Sequence, residues 1–377
     1  MKLGKLCILF TDGDWIESKD QSDSGIRLIQ TGNIGNGEFL YKNDKAKYIS
    51  VDTFKRLNCK EVFPNDILVS RLPEPVGRGC IIPDIGEKMI TAVDCTICRI
   101  NENLVDRKYF CYFLESNAYK TQLEQHVTGT TRKRISRKNL SSVEIDIPEQ
   151  AKQKEVVYKL DRLKKIIQNY NRELDLLDEL VRARFVEMFG DVQDAKKHRS
   201  IQLKDICNTV TGGTPSTKHV EYYNGTIPWI STVSLGPNYI DGTTAKAFIT
   251  QEAVDNSSTK IIPSGSILFG TRVGVGKSSI NQVEMCTNQD IVAIIDLDES
   301  KYNKLYIKYV LDTYQSYFDS IKKGATILGI SSDDLKNIYV PDASLYEQDR
   351  FEKFVKQIDK SRLLSNHSLF LIKSIIF

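Results

Sequence analysis

The chain has 377 residues, of which 41% are hydrophobic and 27% are charged, and its formal net charge is +3. This length suggests two or three domains with real cores, and the mildly basic charge neither requires nor excludes nucleic acid. No apolar run is long enough to span a bilayer, and the apolar patch at residues 6–10 is too short for a signal peptide. We therefore expect a cytoplasmic protein without membrane contact, and the eight cysteines fit reduced, mostly buried thiols in that compartment.

The first globular part, residues 1–147, combines strand-like and helix-like segments. Short buried strands are predicted at 66–69 and 91–99. An amphipathic segment rich in Tyr and Phe predicts a helix at 106–124, and a Gly-Thr turn with a basic segment follows it at 127–138. This order predicts an α/β domain of the mixed α+β type.

A long helix is predicted at 148–190. Pro148 suits its first turn, Gly190 suits its end, and neither Gly nor Pro interrupts it. About 40 residues at 1.5 Å each would extend ~60 Å, too far to pack on one globular domain, so a partner helix is expected. Its apolar residues recur every four and three positions, which is a heptad seam: Val156, Leu160, Leu163, Ile167, Tyr170, Leu174, Leu177 and Val181.

The second half of the chain repeats the first, which predicts a second globular part at 198–340. It carries predicted strands at 266–269 and 290–295 and a predicted helix at 302–321. The offset between matching residues falls from about 200 to 192, which is typical of a duplicated domain with small loop deletions. The matches include Ile29-Gln30-Thr31 with Ile230-Ser231-Thr232, Asp94 with Asp290, Pro148 with Pro341, and Glu149-Gln150 with Glu347-Gln348.

A second long helix is predicted at 345–377. Its apolar face is less regular and would consist of Phe351, Phe354, Val355, Ile358, Leu363, Leu369 and Ile372. The first helix continues for several residues beyond the position that matches Phe377. We therefore expect the chain to be truncated relative to its own internal pattern, which would weaken the docking of one partner.

Several strings, together with this repeated order of domain and helix, resemble the specificity subunit of type I restriction-modification systems. The resemblance covers nearly the whole chain. The strings are Asp12-Gly13-Asp14-Trp15-Ile16, IRLIQTGNI at 26–34, VTGTTRKRI at 127–135, Gly212-Gly213-Thr214-Pro215-Ser216 and IPWIS at 227–231.

The resemblance implies that each globular part is a target recognition domain for one half of a split site on double-stranded DNA. It also implies that the two helices form an antiparallel coiled coil, with the domains at opposite ends. That coiled coil would set the spacing and dock two modification (methyltransferase) subunits and the restriction (endonuclease and translocase) subunits. Methylation and cleavage would belong to those partners. S-adenosylmethionine, ATP and Mg are then expected on the partner subunits, with no cofactor, metal or catalytic residue on this chain.

The sharpest candidate for DNA contact is the Gly-Thr turn and the basic residues that follow it. Thr130, Thr131, Arg132, Lys133 and Arg134 combine hydroxyls and cations that can bind phosphates, and an arginine there can read guanine. The alternative is a solvated charged loop. In the second repeat the matching loop offers Lys322, Lys323 and Thr326, with its cations before the glycine, so the two loops are expected to make different contacts.

Glycine-bearing turns after the buried strands form a second candidate. Arg71 and Arg78 occur in one repeat and Arg272 and Lys277 in the other, and ordinary hairpins with surface charge remain an equal alternative. Polar residues able to touch base edges form a weaker set: Gln30, Thr31, Asn33, Ser231 and Thr232. Trp15 and Trp229 are expected to be core or turn anchors.

Three other functions remain as alternatives: an independent nuclease or methylase, a coiled-coil scaffold or adaptor without DNA contact, and a truncated, non-functional specificity subunit. Catalytic motifs are missing from the sequence, which argues against the enzyme. Cys95 and Cys98 have zinc-like spacing, but Ile291 and Ile294 occupy the matching positions, so both cysteines are expected in a strand core. The basic loop and the duplication favour DNA recognition over the scaffold.

Overall fold

The computed structural model describes residues 1–129, 132–191, 200–324 and 326–376. The chain forms two compact units, one of Met1–Asn169 together with the chain from Leu369 onward, and one of Tyr170–Ser368. Within the described residues, no helix is both long and apolar enough to cross a membrane.

The first unit is built on two sheets. Its strands are β1 (Cys7–Asp12), β2 (Gln21–Ser22), β3 (Ile26–Ile29), β4 (Tyr48–Ile49), β5 (Glu61–Val62), β6 (Ile67–Ser70), β7 (Gly79–Ile81), β8 (Met89–Thr91) and β9 (Cys95–Ile100). One sheet has the order β1-β9-β6-β7 and is antiparallel, and the other has the order β2-β4-β3-β8-β5 with β3 and β8 parallel. The helices are α1 (Val51–Arg56), α2 (Arg107–Glu115), α3 (Asn117–Glu124), α4 (Arg137–Ser142) and the start of α5 (Gln150–Phe189).

Strand β6 shows why the sequence predicts a buried strand here. Successive strand residues point to opposite faces of a sheet. Ile67 and Val69 accordingly pack in the cluster that contains Phe110 and Leu114 of α2, and Leu68 packs in a separate cluster with Cys95. Both faces of the sheet are covered, so the strand reads as a continuous apolar run.

The second unit has the same architecture. Its strands are β10 (Ser200–Gln202), β11 (Asn208–Thr211), β12 (Ile227–Ile230), β13 (Tyr239–Ile240), β14 (Ala247–Ile249), β15 (Ile261–Ile262), β16 (Ile267–Gly270), β17 (Ser278–Asn281), β18 (Met285–Thr287), β19 (Ile291–Ile295) and β20 (Tyr339–Pro341). Besides the end of α5, its helices are α6 (Gln251–Asp255), α7 (Lys304–Thr313), α8 (Gln315–Ile321), α9 (Ser332–Lys336) and α10 (Leu345–Ile376).

Sheet topology confirms the internal duplication. The order β11-β19-β16-β17 in the second unit repeats β1-β9-β6-β7 in the first, and β14-β12-β18-β15 repeats β4-β3-β8-β5. The parallel pair β3 and β8 also has its counterpart in β12 and β18. A short strand pair, β10 with β20, completes the second unit. The predicted mixed fold is therefore present twice.

Two predicted helices and one predicted strand are each divided in the structure. The helix expected at 106–124 is α2 and α3, because Ser116 leaves the helical conformation and its hydroxyl caps α3 by accepting from the Tyr119 N–H at 3.2 Å. The helix expected at 302–321 is α7 and α8, with the break at Tyr314. The strand expected at 91–99 is interrupted by a turn in which the Cys95 N–H donates to the Ala92 carbonyl at 2.9 Å.

Within the second unit, α5 and α10 pack antiparallel. The rings of Phe185 and Phe351 lie 5.4 Å apart. Arg362 forms an ion pair with Asp178, and the Ser365 hydroxyl donates to Glu173 at 3.2 Å. Residue numbers fall along α5 as they rise along α10, as an antiparallel pair requires. All eight predicted seam residues of α5 are buried or half-buried, which confirms the heptad prediction for that helix.

The seam of α10 differs from the prediction. The less exposed face is a regular heptad with two polar members: Phe351, Val355, Ile358, Arg362, Ser365, Leu369 and Ile372. Leu363, which was expected in the seam, is 69% exposed. Phe354, also expected there, is half-buried and lies next to the seam residues Phe351 and Val355 in sequence. An apolar pattern search skips positions 362 and 365 because both residues are polar. Arg362 is half-buried and Ser365 is buried, and each contacts an acidic side chain of α5.

Candidate nucleic-acid interface

The basic loop of the first unit is a closed hairpin of residues 128–134, called here the first hairpin. Thr128 and Arg134 exchange two backbone hydrogen bonds of 2.9 and 2.8 Å. Gly129 has φ +100°, and a Cβ atom there would collide with the Arg132 carbonyl oxygen, so the turn requires glycine. Arg132, Lys133 and Arg134 are exposed, and Thr130 and Thr131 lie outside the described residues.

The first hairpin is anchored at the ends of strands in the β1-β9-β6-β7 sheet. The Ile135 N–H donates to the Arg71 carbonyl at the end of β6, at 3.2 Å, and the Ile135 side chain is buried. Arg137, the next exposed cation, lies 3.9 Å from the Asp12 carboxylate at the end of β1. Contacts with two strand ends therefore position the hairpin that carries the exposed Arg132, Lys133 and Arg134.

The second unit carries an equivalent hairpin at residues 323–329, called here the second hairpin. Lys323 and Gly329 exchange two backbone hydrogen bonds of 2.8 and 2.9 Å. Gly324 has φ +141°, and a Cβ atom there would collide with the Ile327 carbonyl oxygen. The Ile330 N–H donates to the Thr271 carbonyl at 2.8 Å, as Ile135 does to Arg71. Both hairpins thus have the same length, the same glycine position and the same anchor.

This equivalence places different chemistry at the two tips. Counting from the paired residues, Arg132 and Lys133 correspond to Ile327 and Leu328, which are 55% and 57% exposed. The internal repeat aligns Gly129 with Gly324 correctly, but the prediction from sequence included only the cations and Thr326 around Gly324. The exposed aliphatic pair was missed, and the repeat offset is the signal that finds it.

Of the three residues predicted for contact in the second loop, two are available. Lys323 and Thr326 are exposed and line a groove of about 640 Å³ with Arg272 and Ile327. Lys322 instead forms an ion pair with Asp319 in α8, one turn earlier. The groove lies between the second hairpin and the loop after β16.

Arg71 faces the interior, unlike the exposed cation predicted from sequence. It is 5% exposed. Its guanidinium donates to the carbonyls of Val93 at 2.6 Å and Ile135 at 3.4 Å, and its Nε lies 3.3 Å from the Asp12 carboxylate. Arg71 therefore joins the base of the first hairpin to two strand ends, which leaves no donor facing solvent for a phosphate.

Arg78 has a similar internal role. Its guanidinium donates to the carbonyls of Thr31, Ile34, Leu72 and Pro75 at 2.7–3.0 Å. Burial lowers the pKa of this guanidinium from its ordinary value. Its donors hold neighbouring loops together, so Arg78, like Arg71, has a structural role.

The corresponding residues of the second unit are on the surface. Arg272 and Lys277 are exposed, and the Arg272 guanidinium lies 3.7 Å from the Asp290 carboxylate. Backbone hydrogen bonds pair Arg71 with Thr271 rather than with Arg272, since both residues donate to the equivalent carbonyls of Asp94 and Asp290 at 2.9 and 2.8 Å. The second unit thus has Thr271 at the position of the internal Arg71. Its arginine is the next residue, Arg272, and is exposed.

The predicted polar set lies mostly within the fold. Asn33 is buried, accepts from the Gln30 backbone N–H at 3.0 Å and donates to the Leu40 carbonyl at 3.0 Å. Ser231 and Thr232 are also buried. Gln30 and Thr31 are half-buried, so they keep some exposed surface.

The two tryptophans differ. Trp229 is a buried anchor, as predicted, and its indole donates to the Gly213 carbonyl at 3.0 Å. Trp15 is 70% exposed, so only the core alternative of its core-or-turn prediction is contradicted, and its indole donates to Glu17 at 3.3 Å. Matching backbone hydrogen bonds make Thr214 the counterpart of Trp15 in the second unit. A polar residue at this position agrees with a location outside the core.

Neither cysteine chemistry nor a metal centre emerges from the described part of the chain. Cys95 and Cys98 are buried in β9, as predicted, and burial raises the pKa of the Cys95 thiol to about 12. Across residues 1–129, 132–191, 200–324 and 326–376, no group of three or more His, Cys, Asp or Glu side chains is arranged to hold a metal ion.

Curated relatives of this chain are specificity subunits. The chain is 33% identical over 159 residues to the specificity subunit of the type I restriction enzyme MjaIX from Methanocaldococcus jannaschii, covering 42% of this chain and 37% of that one. It is 28% identical over 297 residues to the EcoR124I/EcoR124II specificity subunit from Escherichia coli, covering 74% of this chain and 67% of that one. The first match thus spans little more than a third of the relative's length.

Solved structures share the fold at low sequence identity. A chain from a type I R-M system, solved for its complex assembly and conformational transition, matches with a TM-score of 0.64 at 15% identity, covering 100% of this chain and 94% of that one. The S subunit of a type I restriction-modification system from M. genitalium matches with a TM-score of 0.50 at 14% identity, covering 100% and 93%.

Residues 1–178 and 196–372 both match the family described as type I restriction modification DNA specificity domain. The two matches follow the duplication that the sheets display and together cover most of the chain. This protein therefore belongs to the type I restriction-modification DNA specificity family.

Proposed function

We propose that this chain selects a split sequence on double-stranded DNA, with residues 1–147 and 198–340 each reading one half. The observation that carries the proposal is the pair of equivalent hairpins. Each projects from the same strand ends of a duplicated domain, and each is locked by a glycine and two backbone hydrogen bonds. A hairpin closed in this way, with exposed side chains, is a suitable element to enter a DNA groove.

Charge placement supports DNA over a neutral partner. The first hairpin presents Arg132, Lys133 and Arg134, and the second unit presents Arg272, Lys277 and Lys323, although the whole chain carries only +3. Phosphate contacts of this kind dominate affinity for DNA and make it fall with salt. Concentration of cations at two equivalent sites supports two contact points on one duplex.

The helices support a further part of the proposal, namely that α5 and α10 dock the modification subunits and, through them, the restriction subunits. Their contacts in the second unit leave Leu363 and Leu364 exposed on α10 and Leu176 and Leu180 exposed on α5. Apolar side chains exposed on a packed helix pair are typical of a protein interface. S-adenosylmethionine, ATP and Mg would be carried by those partners, which would also perform the chemistry.

The experiment is to express the chain with its modification subunit and to map methylated bases across a genome. A single two-part motif is expected. Replacing Arg132, Lys133 and Arg134 by Ala should abolish or relax one half of the motif. Replacing Lys5, Lys45 and Lys55 by Ala removes the same charge from exposed positions of the first unit outside both the hairpin and α5, and should leave the motif unchanged.

Two results would contradict the proposal. A complex that assembles but methylates no defined motif would favour the scaffold, or a specificity subunit that no longer functions. Nuclease or methylase activity of the purified chain alone would favour the independent enzyme.

A further inference from the structure

The tips of the two hairpins differ in chemistry while their backbones correspond. In the first hairpin, the positions before the closing residue carry Arg132 and Lys133. In the second they carry Ile327 and Leu328, both more than half exposed. Isolated exposed aliphatic residues are ordinary on protein surfaces, but two adjacent ones beside the closing pair of a hairpin offer apolar area to a partner.

We propose that Ile327 and Leu328 read thymine through its 5-methyl group, so that the half-site of the second domain contains an A·T pair recognised by apolar contact. The inference rests on the function proposed above and names the chemistry of one of its two sites. Thymine is the base that presents a methyl group in the major groove, and aliphatic side chains recognise it there. The first hairpin, with its arginines, is suited instead to guanine or to phosphate.

Packing within the second unit supports an external partner for the tip. Ile330, just beyond the hairpin, is buried in the main core cluster with Leu335 and Phe318. Ile327 and Leu328 join none of the apolar clusters formed by the described residues. The chain therefore buries the aliphatic residue at the base of the hairpin and exposes the two at its tip.

The surroundings of the tip favour a polyanion as that partner. Arg272, Lys323 and Thr326 line the same groove as Ile327. One acidic side chain, Asp334, also lines the groove, where it accepts from the Ser331 N–H at 2.8 Å and from the Ser331 hydroxyl at 2.7 Å and stays charged, so that the two cations outnumber it. Cations beside an apolar tip match the backbone phosphates and the base methyl of one duplex.

The second hairpin is also held rigidly enough to position a methyl contact. Gly329 packs so closely on Thr271 and Arg272 that a Cβ atom there would lie 2.8 Å from the Thr271 carbonyl oxygen. This contact, the two backbone hydrogen bonds to Lys323 and the anchor at Ile330 fix the base of the hairpin at three places. Ile327 and Leu328 therefore lie within two residues of this fixed base.

The test uses the complex of the full chain with its modification subunit. The motif is first mapped by genome methylation, and the half that changes when Arg132, Lys133 and Arg134 are replaced by Ala is assigned to the first domain. Duplexes are then made in which all thymines of one half-site are replaced by deoxyuridine, which removes only the methyl groups. The dissociation constant is measured for each duplex at fixed salt.

Deoxyuridine in the second half-site is expected to weaken binding by roughly three- to ten-fold per contacted methyl, on the scale of burying one methyl group. The I327A/L328A variant should bind the unmodified duplex more weakly and should lose this sensitivity to deoxyuridine. The control V220A/V283A removes exposed aliphatic side chains elsewhere in the same unit and should retain it.

Four outcomes would overturn the inference: a second half-site without thymine, no effect of deoxyuridine there, an effect that survives in I327A/L328A, or a variant that binds DNA normally but no longer assembles with the modification subunit. The last would assign the tip to a protein interface. In each of these cases the wild-type complex still binds a defined motif. Failure of the proposed function is distinguished by the absence of any site-specific binding, which would overturn both.

Discussion

Gln153 and Gln348 make the same hydrogen bonds in the two halves of the chain. The Oε1 of Gln153 accepts from the Asp106 N–H at 2.7 Å, and that of Gln348 accepts from the Asn303 N–H at 2.8 Å. Each amide nitrogen donates to two backbone carbonyls, those of Leu104 and Pro148 in the first unit and those of Lys301 and Ala343 in the second. Both glutamines are buried. Each one therefore fastens the first turn of a long helix to the cap of the domain helix beside it.

We expect Gln153→Ala to destabilise the first unit by about 2–3 kcal/mol, because it leaves one buried N–H and two carbonyls without their partner. Gln348→Ala should do the same in the second unit. Urea unfolding of each variant measures the change. Gln150→Ala is the control, since Gln150 is exposed and should shift stability by less than about 0.5 kcal/mol. Equal effects at positions 150 and 153 would contradict the assigned role.

These glutamines also show a limit of predicting equivalent residues from the sequence. The Glu-Gln strings pair Gln150 with Gln348, whereas the structure pairs Gln153 with Gln348, three residues later. The error arises because the two Glu-Gln strings were matched by residue identity. In the structure the equivalent glutamine is the one whose amide reaches the helix-cap N–H and the two carbonyls. The duplication, the strands β6 and β16, and the two long helices were nevertheless predictable from apolar periodicity.

The candidate site was less predictable than the fold. The exposed cations of the first hairpin were identified, yet Arg71 and Arg78 are internal. A sequence pattern cannot distinguish an arginine that binds carbonyls at strand ends from one that faces solvent, because both kinds lie beside glycine-bearing turns. The apolar tip of the second hairpin was missed for a related reason, since pattern reading assigns Ile and Leu to cores.

Salt dependence should separate the exposed from the buried arginines. Replacing Arg132, Lys133 and Arg134 by Ala is expected to reduce the slope of log affinity against log salt by up to about 2–3, at ~0.9 for each phosphate that is no longer neutralised. Arg71→Lys should leave the slope unchanged but lower stability, because one ammonium cannot bind Asp12, Val93 and Ile135 together. Affinity measured over a series of salt concentrations gives the slope; a reduced slope in Arg71→Lys would return that residue to the interface.

The glycine of each hairpin should control one half of the site. Gly129→Ala and Gly324→Ala each place a Cβ against a backbone carbonyl at positive φ, at a cost of about 1–3 kcal/mol in hairpin geometry. We expect each variant to weaken recognition of its own half-site and to spare the other, as measured by binding to duplexes mutated in one half. Gly86→Ala, at a positive φ with open space around it, is the matched control. Loss of both halves in either variant would indicate general unfolding instead.

The polar members of the α10 seam should fix the register of the helix pair. Arg362 forms ion pairs with Asp178 of α5 and with Asp359 of its own helix, the latter at 2.9 Å, in a seam that is otherwise mainly apolar. Arg362→Asp places a third carboxylate in this group and is expected to lower the stability of the second unit by about 1–2 kcal/mol. Adding Asp178→Arg restores an opposite charge across the helices and should recover part of the loss, although repulsion from Asp359 remains. A double-mutant cycle on thermal unfolding measures the coupling, and Lys360→Asp, on the exposed face of the same helix, is the control. Strictly additive effects at 178 and 362 would mean that the ion pair does not stabilise the antiparallel packing.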